Sequence, residues 1–239
     1  SILSQTFNNF ELLIYDNASS DGTWEILSDY IQRDNRIWAK RNSINLGGPC
    51  LNAIAGIERA KGKYTARIDS GDYWVKNKLE KQVNFLDNNP DYVICGTQAN
   101  FFYGNKILGN SNFACDDDEI RQNIVRRDGI YLQPSILFRN ITNYRKQFIH
   151  GGEDLDLYLR LSFLGKMYCL NEKLLFCKYD EEGMTLGTKH ILRQYDNYAY
   201  KCYSQRLDRG TDFIDQDPDV KLRIHNNLFD RYFIKLSMI

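Results

Sequence analysis

Short apolar runs alternate with helix-patterned segments over residues 10–96, and each run ends in a cluster of turn-forming residues. Residues 10–15 read as a buried strand by length and composition, followed by Asp16-Asn17-Ala18-Ser19-Ser20-Asp21-Gly22-Thr23, a turn cluster. Asp21 or Thr23 is placed to cap a helix over residues 24–33. A strand over 35–40, a polar loop over 41–49, a helix over 51–60 and a strand over 64–68 follow, then a helix over 76–88 and a strand over 92–96. Strands separated by helices cannot pair through hairpins, so this order constrains the chain to an α/β architecture with parallel character. Beyond it the reading is a hairpin over 101–108, a helix over 116–127, a strand over 135–139, a helix over 154–164 and strand material over 168–179. From residue 190 the pattern is helical and Tyr-rich.

Composition narrows what such a fold would do. The chain has 239 residues, of which 43% are hydrophobic and 13% aromatic, enough to bury a core without disulfides or metal. Thirty-one basic residues balance thirty-one acidic ones, so no global charge points to nucleic acid. No apolar run approaches the roughly 18 residues that span a bilayer, and no signal peptide opens the chain. The six cysteines are scattered without a C-x-x-C pair and read as reduced thiols. His150, His190 and His225 are too far apart in sequence for a zinc motif, and the acceptor-type triplets at Asn17 and Asn140 read as chance.

Two acidic clusters directly follow expected strands: Asp16 after the first, and Asp69 with Asp72 after a later one. Ligands of open α/β sheets bind at the carboxyl ends of strands, so these acids are expected to face one crevice. Asp16 alone reads better as turn chemistry, and it is the second cluster in the same half of the sheet that favours a site. A carboxylate accepts hydrogen bonds from a base or ribose, and a second one holds a hard divalent cation against a diphosphate. The glycine patterns of P-loop and dinucleotide-binding proteins are absent. A third acidic feature runs from His150 through Gly151-Gly152-Glu153-Asp154-Leu155-Asp156 to Arg160. It is either a close backbone approach to a ligand or a helix start with favourable charge.

The order of these motifs resembles that of the family 2 glycosyltransferases. Gln5-Thr6-Phe7 with Glu11-Leu12-Leu13-Ile14-Tyr15-Asp16-Asn17-Ala18-Ser19-Ser20-Asp21-Gly22-Thr23 is similar to the family's opening, and Asn45-Leu46-Gly47-Gly48 to its N-x-G loop. Ala60 through Asp72 resembles its A-x-G-x-Y-I-A-R-M-D-x-D-D run, with Gly71 where an Asp usually stands. Leu79-Glu80-Lys81-Gln82-Val83 and residues 90–96 continue the likeness. Gln133-Pro134-Ser135 with Phe138-Arg139, and Glu153-Asp154-Leu155-Asp156-Leu157 with Arg160, match later motifs. The late Y-R-x-H element appears as Cys177-Lys178-Tyr179-Asp180. Coverage runs from residue 1 to about residue 186, and the family's opening strand and most of its first helix are expected before Ser1.

The resemblance implies a GT-A fold: a mixed, mainly parallel sheet flanked by helices, with a C-terminal helical tail. It implies a glycosyltransferase domain over 1–189 (donor half 1–96, acceptor half 97–189) and a helical extension over 190–239. The implied activity is inverting transfer from a nucleotide-diphosphate sugar, with UDP expected, to a saccharide or lipid-linked hydroxyl in bacterial surface polysaccharide synthesis. Implied donor-binding residues are Asp16, Asn45, Gly47, Arg67 and Asp69. Asp69 and Asp72 are implied as ligands of Mg²⁺ or Mn²⁺. Asp154 is the implied catalytic base with Glu153 beside it, and Gln133 and Arg160 lie on the acceptor side. The expected location is cytoplasmic, with peripheral contact at the inner face of the membrane and no nucleic-acid partner. The alternatives are a non-catalytic sugar- or partner-binding relative and a sugar-phosphate nucleotidyltransferase.

Overall fold

The computed structural model describes residues 1–47, 49–179 and 189–224. The chain divides into two compact units, Ser1–Leu46 with Asn52–Asn143 and Leu161–Asp180, and Gly47–Leu51 with Tyr144–Arg160 and Glu181–Ile239. This differs from the division expected at 189/190, because residues 144–160 cluster with the C-terminal helices instead of with the strands.

The first unit carries every strand among the described residues. β1 (Leu12–Asp16) pairs in parallel with β2 (Ile37–Arg41), joined by α1 (Thr23–Arg33). The second helix, α2, spans Cys50–Arg59 and leads to β3 (Tyr64–Ala66). β4 (Tyr73–Trp74), α3 (Lys78–Asn88), β5 (Tyr92–Tyr103), β6 (Lys106–Asn110), α4 (Asp117–Arg126), β7 (Leu137–Arg139) and β8 (Lys166–Lys178) complete it. Six of these strands form one sheet in the order β3-β7-β5-β8-β4, with β6 on β5. The sheet structure is mixed as expected, with a larger antiparallel share than the helix-separated pattern implied. β1 with β2 and β5 with β8 are parallel, whereas β3, β4 and β6 each join an antiparallel neighbour, and β7 has two. β6 returns through a tight turn at Gly104, where φ is +55°. A two-stranded and a six-stranded sheet stand where one was expected, because β1 bonds only β2 and β3 bonds only β7.

The core beneath the larger sheet contains Trp74, Leu79, Val83, Leu86, Cys95, Ala99, Leu137 and Leu175. The polar side chains Lys78, Gln82 and Gln5 beside it are paired, as burial requires. Gln82 is fully buried and its amide donates to Cys95 O on β5 and to Ser135 O, 2.9 Å, just before β7. Its carbonyl accepts from Lys78 Nζ at 2.8 Å, and the Lys78 ammonium lies 4.2 Å from the Trp74 ring centroid. The Trp74 indole donates to Pro134 O at 2.9 Å. Gln5, 3% exposed, fixes the entry to α3: it accepts from Leu79 N at 3.1 Å and donates to Val75 O at 2.9 Å.

In the second unit, α5 (Glu153–Leu161) is joined by α6 (Lys189–Arg209) and a single turn, α7 (Phe213–Gln216). Arg145 pairs with Asp212 at 2.8 Å and Asp215 at 3.0 Å, and Arg206 with Asp212 at 2.7 Å. Among the described residues no helix is long and apolar enough to cross a membrane. The expected helical tail is confirmed to Gln216; residues 225–239 lie outside the described residues.

Burial pushes the Lys78 ammonium down to about 7, against 10.5 in the unfolded chain. Below pH 7 both states carry the proton and the burial penalty is complete. Above it the unfolded chain holds a proton that the folded one does not, so stability rises with pH. Urea denaturation midpoints should therefore climb between about pH 7 and pH 10, and Lys78→Met should flatten that rise.

Candidate functional site

Asp16 is the last residue of β1, directly opposite Arg41 at the end of β2. Its carboxylate is 1% exposed; Oδ1 accepts from Ser19 N at 3.1 Å. Oδ2 lies 3.3 Å from Arg41 Nε yet accepts no hydrogen bond of good geometry. Arg41 stands beside it as an ion-pair partner, while its Nη2 donates to Ser19 O at 2.6 Å. Oδ2 is thus paired by charge but holds no hydrogen bond, an arrangement that leaves it open to a donor from a ligand. The turn after it holds Ala18 at φ +65°, a left-handed conformation unusual for a residue with a side chain.

Asn45 is held in place by a residue the sequence reading set aside. Asn17 Nδ2 donates to Asn45 Oδ1 at 2.9 Å, and Asn17 Oδ1 accepts from Asn42 Nδ2 at 3.1 Å and Leu46 N at 3.0 Å. Asn17 thus clamps the polar loop 42–46 against the end of β1. The signal was available in its position beside Asp16. Gly47 adopts φ +85° with open space where a Cβ would stand, and Gly48 lies outside the described residues.

The acidic motif after β3 is a turn in which Asp72 N donates to Asp69 O at 3.3 Å. Asp69 Oδ1 accepts from Arg67 Nη2 at 3.2 Å, so these two expected donor-side residues are each other's partners. Asp72 Oδ1 accepts from Lys178 N at 2.8 Å, which brings the late Cys177-Lys178-Tyr179 segment to the acidic motif. Burial, then the Asp69 charge, pushes the Asp72 carboxyl up, while the Lys178 N–H opposes the shift. Burial and the Asp72 charge push the Cys177 thiol up to about 12. Asp69 therefore follows the six-stranded sheet while Asp16 ends the two-stranded one, in place of one shared sheet edge. Among the described residues no three His, Cys, Asp or Glu side chains assemble a cation cage. Asp69 and Asp72 nevertheless offer hard carboxylate oxygens of the kind Mg²⁺ or Mn²⁺ takes, a partial set needing oxygens from another source.

Gln133 opens the 3-10 turn Gln133–Ser135 and is 7% exposed. The turn is pinned to the core through Pro134 O and Ser135 O, and β7 starts only at Leu137.

In the second unit Glu153 and Asp154 form the first turn of α5, and Glu153 is 8% exposed. Arg160 is equally buried, and its Nε donates to Asp156 Oδ2 at 2.8 Å; Arg145 lies 3.7 Å from the same carboxylate. Arg160, expected on the acceptor side, is thus a partner of Asp156. The glycines before α5 were expected to admit substrate; a helix occupies that space. At Gly151, φ +147°, a Cβ would lie 2.4 Å from Leu192 Cδ2, and at Gly152, φ +72°, 3.0 Å from Tyr195 Cβ and 3.5 Å from Asp196 N. Burial, then the Asp154 charge, pushes the Asp196 carboxyl up to about 6.

Comparison with known proteins bears on this geometry. Residues 1–150 match the protein family described as "Glycosyl transferase family 2". The chain is 39% identical over 130 residues to the UDP-Glc:alpha-D-GlcNAc-diphosphoundecaprenol beta-1,3-glucosyltransferase WfaP of Escherichia coli, a match covering 48% of this chain and half of WfaP. A second Escherichia coli enzyme named for the same reaction, WfgD, is 28% identical over 207 residues, 82% of this chain and 76% of that protein. Among solved structures, S. aureus TarS 1-349 in complex with UDP-GlcNAc superposes with a TM-score of 0.67 at 16% identity, over 87% of this chain and 61% of that one. TarS 1-349 with UDP gives 0.61 at 16% identity, over 92% and 70%. At this identity the likeness shows the fold, which is GT-A.

Gly71 explains its own departure from the family's acidic run. Its φ is +93°, and a Cβ would come within 3.0 Å of Lys178 Cδ. Restoring the usual acid, Gly71→Asp, should lower stability by about 1–2 kcal/mol. It should not create Mn²⁺ binding in the absence of nucleotide; thermal unfolding and calorimetry with MnCl₂ check both parts.

Proposed function

The chain belongs to glycosyltransferase family 2, and on that premise we propose that it transfers a sugar from a UDP-sugar to a hydroxyl of a saccharide or lipid-linked acceptor, with inversion at the anomeric carbon. The names of WfaP and WfgD support a glucosyl donor and a GlcNAc-diphospholipid acceptor, as in cell-surface polysaccharide assembly. Such an acceptor sits in a membrane, so the working position is peripheral, at the inner face.

The observation that carries the donor half of this reading is the buried Asp16 Oδ2 without a hydrogen bond. It is suited to accept from the base or ribose of the nucleotide, in a loop that Asn17 holds rigid through Asn45 and Leu46. Gly47 lets backbone approach the donor, and Arg67 orients Asp69. Asp69 and Asp72 would hold the divalent cation, whose charge, when bound, offsets that of the departing diphosphate. On the acceptor side Asp154 takes the proton as the acceptor oxygen attacks the anomeric carbon. The bond from that carbon to the diphosphate oxygen breaks, and its electron pair leaves with the nucleoside diphosphate. Glu153 and Gln133 are the remaining candidates to orient acceptor hydroxyls.

Two variants separate the halves. Asp16→Ala should weaken UDP binding at least about tenfold, as expected for losing a charge-assisted hydrogen bond, in calorimetry with Mn²⁺ present. Asp154→Asn should bind UDP as the parent does, yet lose transfer from UDP-glucose to GlcNAc-diphosphoundecaprenol by about a hundredfold or more. Near-parental transfer by Asp154→Asn would remove that residue from the mechanism.

A further inference from the structure

We propose that the β5–β6 hairpin is a membrane-docking element that seats the chain on the interfacial layer of a bilayer carrying anionic lipid. The inference deepens the reading of a lipid-linked acceptor, on which it rests for its purpose: it names the surface that brings the chain to such a substrate.

Residues 92–114 hold no Asp or Glu, and Lys106 is their one charged side chain, in a chain where 26% of residues are charged. At the tip of the hairpin, residues 103–108 are all exposed, with Tyr103 at 53%, Ile107 at 54% and Leu108 at 56%. Large apolar side chains gathered on a protruding turn mark an interaction surface. The composition is that of an interfacial anchor. Aliphatic side chains enter the acyl boundary, a tyrosine sits at its polar edge, and a lysine reaches the headgroups. An acid in this stretch would have to be desolvated on docking, and the stretch has none.

The patch continues across the sheet towards the acidic turn. Phe102 pairs with Ile107 on one side and Lys178 on the other, and Phe176, two residues before Lys178, pairs with Tyr73. Side chains alternate along strands, so Ile107, Phe102, Phe176 and Tyr73 share one face, while Trp74 and Leu175 enter the core on the other. The Tyr73 ring stacks on Phe176 at 4.5 Å and meets Phe102 edge-on at 5.3 Å. Tyr73 follows Asp72, whose Oδ1 accepts from Lys178 N at 2.8 Å. The hairpin is therefore fixed in height relative to Asp69 and Asp72, and a bilayer at its tip would stand at a set distance from the proposed cation and diphosphate.

A second copy of the chain is the other occupant that an open edge strand invites. Among the described residues β6 pairs only with β5, but the register slips between Phe101 and Phe102, where Leu108 is the extra residue, and Lys106 sits beside the turn. A bulge and a charge both work against edge-to-edge pairing, which favours the bilayer.

The test is co-sedimentation of the full chain with vesicles of phosphatidylcholine and phosphatidylglycerol in equal parts, with no donor or acceptor present. The parent should sediment with the vesicles. The double variant Ile107→Ser/Leu108→Ser should partition at least about tenfold less, and Val125→Ser, which removes an exposed apolar side chain from α4, should partition as the parent does. Lys106→Glu should weaken partitioning several-fold, and by less on pure phosphatidylcholine. Each variant is checked for the parental thermal midpoint; should the double variant unfold, Lys106→Glu carries the test. Absence of parental binding, or parental partitioning by the variants, would overturn the inference. So would self-association of the parent that the double variant abolishes, without vesicle binding by either. Docking by the parent and not by the double variant, with no glucose transfer to GlcNAc-diphosphoundecaprenol by either, would uphold the docking surface and overturn the acceptor reading alone.

Discussion

The buried Gln82 side chain ties together the parts of the first unit that chain connectivity leaves separate. From α3 it reaches the Cys95 carbonyl of β5 and the Ser135 carbonyl ahead of β7, and it receives Lys78 from its own helix. An amide in an apolar core is tolerated only when its donors and acceptor are engaged, so the three partners must arrive together. This bond set fixes the height of α3 under the sheet, and with it the position of Trp74, whose indole closes on Pro134. The acidic turn lies immediately before Trp74, and the Gln133–Ser135 turn is the element Gln82 and Trp74 hold. Two candidate site segments thus depend on one buried amide.

Much of the local structure was legible from residues 10–96, since apolar runs of strand length and punctuating turns are local signals. β5 was not: it continues to Tyr103 where the apolar run stops at Gly96. The continuation opens on polar residues, yet Thr97 and Gln98 are buried. Gln98 earns its place by exchanging bonds with Ser111 and with the backbone of Phe113, partners more than ten residues away. β4 is two residues long, too short for any alternation to register. Which strand pairs with which is decided by contacts distant in sequence, and that is why the division into two sheets was invisible.

The candidate site shows the same split. Asp16, Asp69, Asp72, Glu153 and Asp154 stand out because acids follow strands or start a helix, and their types announce their chemistry. Asn17 was passed over because its amide acts through geometry: one side chain bonded to Asn45, Asn42 and Leu46. Gly151–Gly152 were read in the right terms with the wrong occupant. Paired glycines do announce a close approach, but sequence alone does not say whether ligand or helix comes close.

That occupant changes how the C-terminal residues are to be understood. Read as an extension, 190–224 would be dispensable to the chemistry. In the structure, Asp212 is fully buried, and Arg145 and Arg206 outweigh its burial to keep its carboxyl ionised below the usual range. Removing either partner of such a buried pair strands a charge, which is far costlier than losing a surface bridge. Arg145 also lies against Asp156, the residue that holds Arg160. One ionic network therefore runs from the end of α6 through Arg145 into α5, while the glycine contact joins the two helices at the other end of that same surface. The segment carrying Glu153 and Asp154 is held from both sides by residues beyond 189, so these two acids owe their position to the helix that looked like an appendage.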